Sequence, residues 1–355
     1  MSKKTGLTRR AANRLLSTLP FLLAACAGSS ERALAGKPDH HTAGGFRNPP
    51  GSPESGGGFG DWAGFFWRNT NRDGGTALPD DHVLPKDVVK AGLRTVDGDR
   101  LTWLGHASFL IRLAGKTIIT DPFLSDHASP IPPFGPKRFA PPALRANELP
   151  PIDLLLLTHN HYDHLDLPSL DVLPLANGAR AVLPLGLMGY AENRDFAEVI
   201  EMDWHGQIMI DGLQITALPA IHMSKRGFFD RNRTLWTSYA LRGPGQSLYI
   251  AGDTAHGPVF KEMKSTFDDF DLGLVPIGAY EPRLLMQGVH ATPEDAVQIG
   301  RDLGIKRLVA KHWGTIQLTD EPPFEPPGRF RTAARTAGYA DEDVWVMKIG
   351  ETRAI

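Results

Sequence analysis

Residues 159–165 constrain this chain more than any other segment does. They read His-Asn-His-Tyr-Asp-His-Leu and follow the apolar run 154–157, which predicts a strand that ends in a histidine-rich loop. Imidazole nitrogen and carboxylate oxygen are the usual ligands of catalytic zinc, whereas structural zinc sites mostly use cysteine, and the chain has 1 cysteine. Chance clustering is the alternative, but it does not account for three histidines and an aspartate at one strand end. The spacing therefore predicts a zinc site with hydrolytic chemistry.

Three more polar residues also stand at the ends of apolar runs. His222 closes the run 215–221, Asp253 closes the run 248–252, and His312 closes the run 308–311. Any one of them could be a hydrogen-bonded loop residue. Because all three have the same relation to a predicted strand, we predict that they complete the metal site.

Strand-like runs and helical segments alternate through both halves of the chain. The runs with strand character are 101–104, 109–113, 117–120, 153–157, 214–218, 236–241, 248–251, 272–276 and 308–310. Residues 292–303 read as a helix with Thr292 as N-cap and Pro293 in the first turn, and residues 259–267 read as another. The pattern predicts an α/β fold of four layers, in which two sheets pack together with helices outside.

The first 60 residues differ in composition from the rest. Residues 1–25 carry five basic and no acidic side chains and include an apolar run, which is typical of a signal peptide and too short to span a bilayer. The run ends in Leu-Ala-Ala before Cys26, a pattern similar to a bacterial lipobox, and Thr-Arg-Arg at residues 8–10 is similar to a twin-arginine export signal. We therefore predict lipidation of Cys26, with an ordinary signal peptide as the alternative. The protein would be a membrane-anchored lipoprotein of the bacterial cell envelope, facing the periplasm or the cell surface.

Residues 26–60 and 61–355 are predicted to be a flexible tether and the hydrolase domain. The tether is rich in Gly, Ser and Pro and has few apolar side chains to bury. The aromatic residues Trp62, Phe65, Phe66 and Trp67 that follow would pack onto the domain, or alternatively contact lipid.

The charge balance argues against nucleic acid as the main partner. Outside residues 1–25 the chain has 33 basic and 40 acidic residues. A net negative domain repels phosphate backbones, whose binding needs a basic face.

The order of the motifs resembles the metallo-β-lactamase superfamily. The shared order is H-x-H-x-D-H, then a histidine, then Gly-Asp-Thr, then a last histidine. Longer phrases are similar to the N-acyl-phosphatidylethanolamine-hydrolysing phospholipase D family, and they lie at residues 103–108, 120–122, 135–139, 148–153, 276–283 and 312–315. The resemblance implies an αββα sandwich with metals at one edge.

Carried over to this sequence, the resemblance implies two zinc ions. His159, His161 and His222 would bind the first ion. Asp163, His164 and His312 would bind the second, and Asp253 would bridge the two. The implied reaction is hydrolysis of N-acyl-phosphatidylethanolamine to N-acylethanolamine and phosphatidic acid by a hydroxide that bridges the ions, with Asp163 orienting it or moving its proton.

The resemblance also indicates substrate-contacting residues. Tyr162 and His290 match such positions, and His290 would donate a hydrogen bond to a phosphoryl oxygen or protonate the leaving group. The alternative for His290 is a structural histidine that precedes the next helix. Lys225 and Arg226 could contact a lipid headgroup or the bilayer surface, or could be solvated surface charges.

Two other functions remain open from the sequence. The same fold could open a lactone or hydrolyse another small polar substrate, or the metal could merely stabilise a lipid-anchored envelope protein. A long apolar groove near Phe228, Phe229 and residues 284–286 would favour a phospholipid substrate, and a small polar pocket would favour a lactone. A homodimer is compatible with the sequence.

Overall fold

The computed structural model of the chain describes residues 36–70 and 76–355. The chain divides into two compact units, residues 1–47 and 48–355. The described part of the first unit contains an antiparallel pair of short strands, β1 (His41–Thr42) and β2 (Gly45–Phe46). The predicted signal peptide (1–25) and Cys26 lie outside the described residues.

Strands and mostly short helices follow one another along the described residues. In chain order the strands are β1 (His41–Thr42), β2 (Gly45–Phe46), β3 (Arg100–Gly105), β4 (Ser108–Leu113), β5 (Lys116–Thr120), β6 (Ile152–Leu156), β7 (Leu175–Pro184), β8 (Glu198–Met202), β9 (Gln207–Ile210), β10 (Leu213–Leu218), β11 (Ser238–Arg242), β12 (Ser247–Ile250), β13 (Phe270–Pro276), β14 (Ile305–Lys311), β15 (Val344–Trp345) and β16 (Thr352–Ala354). The α-helices are α1 (Phe59–Thr70), α2 (Lys86–Thr95), α3 (Leu167–Leu170), α4 (Val259–Lys264), α5 (Arg283–Met286), α6 (Pro293–Leu303) and α7 (Pro326–Thr336). Short 3₁₀ turns cover Ala146–Glu148, Met188–Tyr190 and Asp341–Asp343.

Two seven-stranded sheets enclose the core of this unit. The first has the order β16-β3-β4-β5-β6-β7-β8 and the second β15-β14-β13-β12-β11-β10-β9. Their inner faces share one cluster of buried apolar side chains, and the hydroxyl of Tyr239 in the second sheet donates to the carbonyl of Leu157 after β6 in the first (2.8 Å). Helix α6 packs on β13 and β14 and against α4 and α7, and α2 contacts β16. The predicted α/β sandwich is confirmed.

Local signals account for the helix ends. Thr292 is the N-cap of α6 and forms a capping box with Asp295, as its sequence predicts. Helix α4 ends at Lys264 rather than at the predicted residue 267. The hydroxyls of Ser265 and Thr266 donate to the carbonyls one turn earlier, which competes with continuation of the helix.

The predicted flexible tether extends too far. Residues 48–58 belong to the second unit: the amide of Gly56 donates to the carbonyl of Leu284 (2.7 Å), and the Gln287 side chain donates to the carbonyl of Glu54 (2.9 Å). A Cβ on Gly288 would lie 2.4 Å from the amide nitrogen of Ser55, so the two chain segments touch backbone to backbone. Composition suggested a tether because small residues bury little apolar area, but the same small residues allow this close packing.

Helix α1 is attached to the domain by its aromatic face. Phe65 is buried with Leu285 and Met286, and Trp62 packs against that cluster, whereas Trp67 is 72% exposed. Among residues 36–70 and 76–355, no helix is long and apolar enough to cross a bilayer.

Candidate metal centre

The carboxyl ends of strands from both sheets deliver the predicted ligands to one place. His159 follows β6, His222 follows β10, Asp253 follows β12 and His312 follows β14. The seven predicted ligands form overlapping groups whose ligand atoms lie within 4.8 Å of one another, and these residues are His159, His161, Asp163, His164, His222, Asp253 and His312. All are buried except His161, which is partly exposed. The site is therefore shielded but reachable at one point.

Three histidines form the first group. The Nε2 of His159 lies 2.9 Å from the Nδ1 of His161, and the Nε2 of His222 lies 3.2 Å from the same Nδ1. Ligand atoms about 2.0–2.1 Å from a tetrahedral zinc lie roughly 3.3 Å apart. Three ring nitrogens that converge at this spacing fit one zinc ion.

The second group contains Asp163, His164 and His312. The Oδ2 of Asp163 is 3.5 Å from the Nε2 of His164 and 3.4 Å from the Nε2 of His312. The Oδ2 of Asp253 is 3.1 Å and 3.0 Å from the same two nitrogens. Asp253 also belongs to groups with His159 and with His222, so its carboxylate stands between the two sets, as a bridging ligand would.

The absence of a side chain on Gly252 lets Asp253 reach this position. A Cβ on the preceding Gly252 would lie 2.4 Å from the carbonyl oxygen of Thr237 and 3.1 Å from the Cβ of Thr158. The strand-end phrase Gly-Asp-Thr therefore needs glycine for a steric reason. Thr254 also fixes the loop, because its hydroxyl accepts a hydrogen bond from the amide of Ile221 (2.9 Å).

Further hydrogen bonds orient the ligand rings. The Nδ1 of His164 donates to the carboxylate of Asp121 (2.9 Å), and the Nδ1 of His222 donates to the carbonyl of Val289 (2.8 Å). Such partners fix the tautomer and direct the other ring nitrogen to the metal. The carboxylate of Asp121 is itself held by the amide and hydroxyl of Thr158 (2.8 and 2.7 Å).

The charge states differ between the two groups of ligands. Burial holds the pKa of His159 and of His222 well below the ordinary histidine value, so both rings are neutral. Burial raises the pKa of Asp253, but the neighbouring His164 and His312 outweigh it and bring that pKa well below its usual range. Burial lowers the pKa of His164, but the neighbouring carboxylates outweigh it and raise that pKa well above its ordinary value. Neutral imidazole and ionised carboxylate are the forms that bind a cation, so metal binding would release a proton from His164.

Several buried atoms at the centre lack a hydrogen-bond partner among the described residues. They are Oδ1 of Asp253, both ring nitrogens of His312 and Nδ1 of His290. A buried polar atom without a partner is costly, and a bound cation would satisfy the acceptors among them. The residues therefore fit a two-ion site.

Sequence reasoning missed three residues around the centre. The Nε2 of His106 lies 2.8 Å from Asp163 Oδ2, and the ammonium of the buried Lys311 lies 3.9 Å from Asp253 Oδ1. Asp121 orients His164, as described above. His106 carried the same signal as the predicted ligands, because it follows β3 directly, at a positive φ of 54° in the turn before β4. Asp121 carried it as well, because it follows β5 directly, whereas Lys311 did not.

The other predicted residues lie around the centre. Nδ1 of His290 is 4.0 Å from Asp253 Oδ2, and its ring centroid is 5.1 Å from that of His222. Burial lowers the pKa of His290 to about 3, so its ring is neutral. Tyr162 donates its hydroxyl to the carbonyl of Arg226 (2.9 Å), and Lys225 is exposed, with its amide donating to the side chain of Asn160 (3.0 Å).

An Asp121→Asn variant should lower the metal affinity about 10–100-fold while the chain stays folded, because an orienting partner of a ligand histidine has this effect. The amide cannot accept the His164 ring proton as strongly as the carboxylate does. Chelator competition with metal analysis measures the change. The exposed Asp97→Asn substitution is the matched control, and an Asp121→Asn variant with unchanged affinity would contradict the orienting role.

Comparisons with known proteins find a family model, relatives and solved structures that are similar to this chain. Residues 116–313 match the family model described as a beta-lactamase superfamily domain. The chain is 36% identical over 264 residues to N-acyl-phosphatidylethanolamine-hydrolyzing phospholipase D 1 of Caenorhabditis elegans, covering 71% of this chain and 74% of that protein. It is 30% identical over 266 residues to a metal-dependent hydrolase of Rubrobacter xylanophilus, covering 72% and 96%. The structure of Igni18, a metallo hydrolase of Ignicoccus hospitalis, is similar in fold, with a TM-score of 0.54, 23% identity and coverage of 72% and 97%.

Proposed function

The chain belongs to the beta-lactamase superfamily and is a metal-dependent hydrolase, and on that premise we propose that it is a zinc-dependent phosphodiesterase of the phospholipase D type. Its substrate would be N-acyl-phosphatidylethanolamine, and its products N-acylethanolamine and phosphatidic acid. The similarity to the C. elegans phospholipase supports this substrate class. The observation that carries the proposal is an exposed loop with two phenylalanines, residues 225–230, that is hydrogen-bonded to the metal-binding loop, residues 159–165.

The protein residues divide the work of such a hydrolysis. Two zinc ions, when bound, would lower the pKa of a water molecule and neutralise charge on the phosphoryl oxygens. Asp163 and Asp253 would hold the ions together and accept hydrogen bonds from the water. In the reaction the water oxygen bonds to phosphorus and gives up a proton, the bond from phosphorus to the ethanolamide oxygen breaks, and that oxygen gains the proton that the water loses.

His290 is placed to contact the phosphoryl group. Its side chain is 13% exposed, and its Nδ1 has no hydrogen-bond partner among the described residues. Because the ring is neutral, His290 would act as a hydrogen-bond donor to a phosphoryl or leaving oxygen rather than as a charged acid. The Tyr162 hydroxyl is not placed to donate to a phosphoryl oxygen in the same way, because it already donates to the carbonyl of Arg226.

The loop at residues 225–230, which we call the aromatic loop, is held against the metal-binding loop by hydrogen bonds. The guanidinium of Arg226 donates to the carbonyls of Asn160 and Leu165 (2.9 and 2.7 Å) and lies 3.9 Å from the ring centre of Tyr162. At its tip, Phe228 and Phe229 are 92% and 91% exposed. Two exposed phenylalanines on a loop fixed this firmly are typical of a surface that contacts lipid.

Basic and apolar neighbours give this surface the character of a membrane interface. Lys225, Arg231 and Arg233 are exposed in the aromatic loop or just after it, and such charges favour anionic headgroups. A second exposed pair, Ile131 (66%) and Phe134 (74%), lies shortly after Ala128, which is in the apolar cluster that Tyr162 packs against. A lipid anchor at Cys26 would keep the metal centre near the membrane.

The residues whose apolar groove would favour a phospholipid substrate lie in different surroundings. Phe228 and Phe229 project into solvent, while Leu285 and Met286 are buried against Phe65 and only Leu284 of that trio is exposed, at 52%. Acyl chains would therefore contact the tips of loops that surround the centre and could remain largely in the bilayer during hydrolysis.

A Phe228→Ser/Phe229→Ser double variant should bind vesicles at least about tenfold more weakly, because transfer of each ring into an apolar phase is worth about 1.5–3 kcal/mol. The double variant and the parent protein with which it is compared would each carry Cys26→Ser to prevent lipidation. Sedimentation with phosphatidylcholine–phosphatidylglycerol vesicles measures binding, and hydrolysis of bis(p-nitrophenyl) phosphate should be unchanged. Met209→Ser, which removes a 63% exposed side chain from β9, is the control. Equal vesicle binding by the double variant would refute the lipid contact.

Product analysis tests the reaction itself. The purified, zinc-loaded chain would be given N-acyl-phosphatidylethanolamine in mixed micelles, and the products would be identified by mass spectrometry. Release of N-acylethanolamine together with phosphatidic acid supports the proposal. If a chain with two ions bound releases neither product but hydrolyses lactones, the lactonase alternative replaces it.

A further inference from the structure

A second cavity lies at the opposite end of the first sheet from the metal centre. It has a volume of about 300 Å³ and is bounded by α2, by β3 to β5 and by residues 144–150. Arg100 and Arg112 stand at the ends of β3 and β4 that are remote from His106, which occupies the turn joining the two strands. The cavity is thus separate from the predicted ligands, and it lies at the lower end of the size range of small-molecule sites.

Four basic side chains line this cavity, and they are Lys90, Arg94, Arg100 and Arg112. Arg100 and Arg112 are direct partners in the register of β3 and β4, and like charges directly opposite each other destabilise a sheet. Lys90 and Arg94 are one turn apart on α2, where like charges also repel. This arrangement concentrates positive charge at one mouth.

The protein offsets this charge only in part, through the attraction of Glu148 for Lys90. The guanidinium of Arg100 donates to the carbonyls of Gly98 and Leu93 (3.1 and 3.0 Å), which are uncharged. Glu148 is the one acidic residue among those that line the cavity, and both of its oxygens are bound by the ammonium of Lys86 (2.8 and 2.6 Å). Across residues 36–70 and 76–355, no ion pair is formed by any of the four basic side chains.

Most of the remaining wall of the cavity is apolar, apart from Thr102 and Thr117. Leu93, Leu110, Leu144 and Leu149 line it, and Leu110 shares a face of β4 with Arg112 because side chains two apart point the same way. Leu144 is fully buried, and Leu110 and Leu149 are 4% and 6% exposed. A site for an inorganic anion alone has no need of such a wall.

We propose that this cavity binds an amphipathic anion, with one alkyl chain on the leucines and a carboxylate or phosphate monoester head at Arg94 and Arg112. The anion would relieve the repulsion between the paired arginines, and its chain would cover the leucine wall. A fatty acid and a single-chain lysophospholipid acid share this chemistry. The inference does not depend on the reaction proposed for the metal centre.

Isothermal titration calorimetry on the zinc-loaded chain tests the proposal, with dodecanoate and dodecyl phosphate below their micelle concentrations. We expect at least one to bind, and the tighter ligand identifies the head group. Dodecyltrimethylammonium and inorganic phosphate should bind at least tenfold more weakly. Binding should persist in an Asp253→Asn variant, which excludes the metal centre as the site measured.

An Arg94→Gln/Arg112→Gln variant should bind the tighter ligand about tenfold or more weakly, because hydrogen bonds to charged groups are lost. Its melting temperature without ligand should not fall, since the substitutions remove a repulsion. Lys261→Gln/Arg331→Gln, at two exposed basic positions elsewhere, is the control. The proposal is overturned if neither amphiphile binds, if inorganic phosphate binds equally well, or if the arginine variant retains full affinity.

Discussion

An Asp253→Asn variant is expected to lose at least about 10³-fold in kcat/KM for phosphodiester hydrolysis and to retain fewer than two metal ions per chain. The Oδ2 of Asp253 lies 3.1 Å from the Nε2 of His164 and 3.0 Å from the Nε2 of His312. The same residue also belongs to the groups on the side of His159 and His222. Of the two carboxylates among the predicted ligands, only Asp253 belongs to groups on both sides.

The size of this loss follows from charge. Two dications at this separation repel each other, and the carboxylate between them offsets part of that repulsion, whereas a neutral amide does not. A metal ion contributes several kcal/mol to stabilising the transition state, and a 10³-fold loss corresponds to about 4 kcal/mol. Because asparagine has nearly the shape of aspartate, we expect the fold to be retained.

Metal analysis by mass spectrometry, steady-state kinetics and thermal melting together measure the effect of Asp253→Asn. Asp268→Asn is the matched control, because the Asp268 side chain is 99% exposed. It should leave metal content and rate unchanged. Full activity of the Asp253→Asn variant with two ions bound would show that this carboxylate is not part of the working centre.

The sequence predicted the ligand cluster because each ligand closes an apolar run. A buried strand is visible as such a run. Strands β10, β12 and β14 run in the same direction in one sheet, so their carboxyl ends meet at one edge and strand-end position predicts proximity. His106 could have been found in the same way. It lies in the shared phrase at residues 103–108, and it follows β3 as the predicted ligands follow their strands.

Other parts of the centre could not be predicted from spacing. The partner of His222 is a backbone carbonyl, that of Val289, which has no sequence signature. Residues 48–58 look like a tether by composition, yet the side chain of Asn48 accepts a hydrogen bond from the amide of His222 (3.0 Å). Such contacts depend on tertiary packing between distant segments, and only the assembled fold reveals them.

Backbone packing beneath His312 leads to the second large effect. Gly278 follows β13, and His312 follows the parallel neighbour β14, with the amide of Ile277 donating to the carbonyl of Lys311 (3.0 Å). A Cβ on Gly278 would lie 2.1 Å from the carbonyl oxygen of His312. His312 itself has a positive φ of 63°, so its backbone is held in an uncommon conformation at this crossing.

A Gly278→Ala variant is therefore expected to lose about 100-fold in kcat/KM and about 1–3 kcal/mol in the free energy of unfolding. An atom cannot stay 2.1 Å from a backbone oxygen, so the turn that carries His312 must shift by roughly 1 Å, and overpacking of this kind costs about 1–3 kcal/mol. A displacement of that size at a reacting group can cost about 10²-fold in rate. Denaturant unfolding and kinetics on metal-saturated protein separate the two effects.

Gly245→Ala is the matched control for this substitution. A Cβ on Gly245 would have no neighbour within 4 Å, so the variant should keep the wild-type rate and stability. If Gly278→Ala loses stability but keeps its rate once saturated with metal, the crossing supports the fold without positioning His312. If it loses both, the contact between the two strand ends sets the geometry of the metal centre. Gly278, which lies outside every metal-ligand motif, would then be required for catalysis because it positions His312.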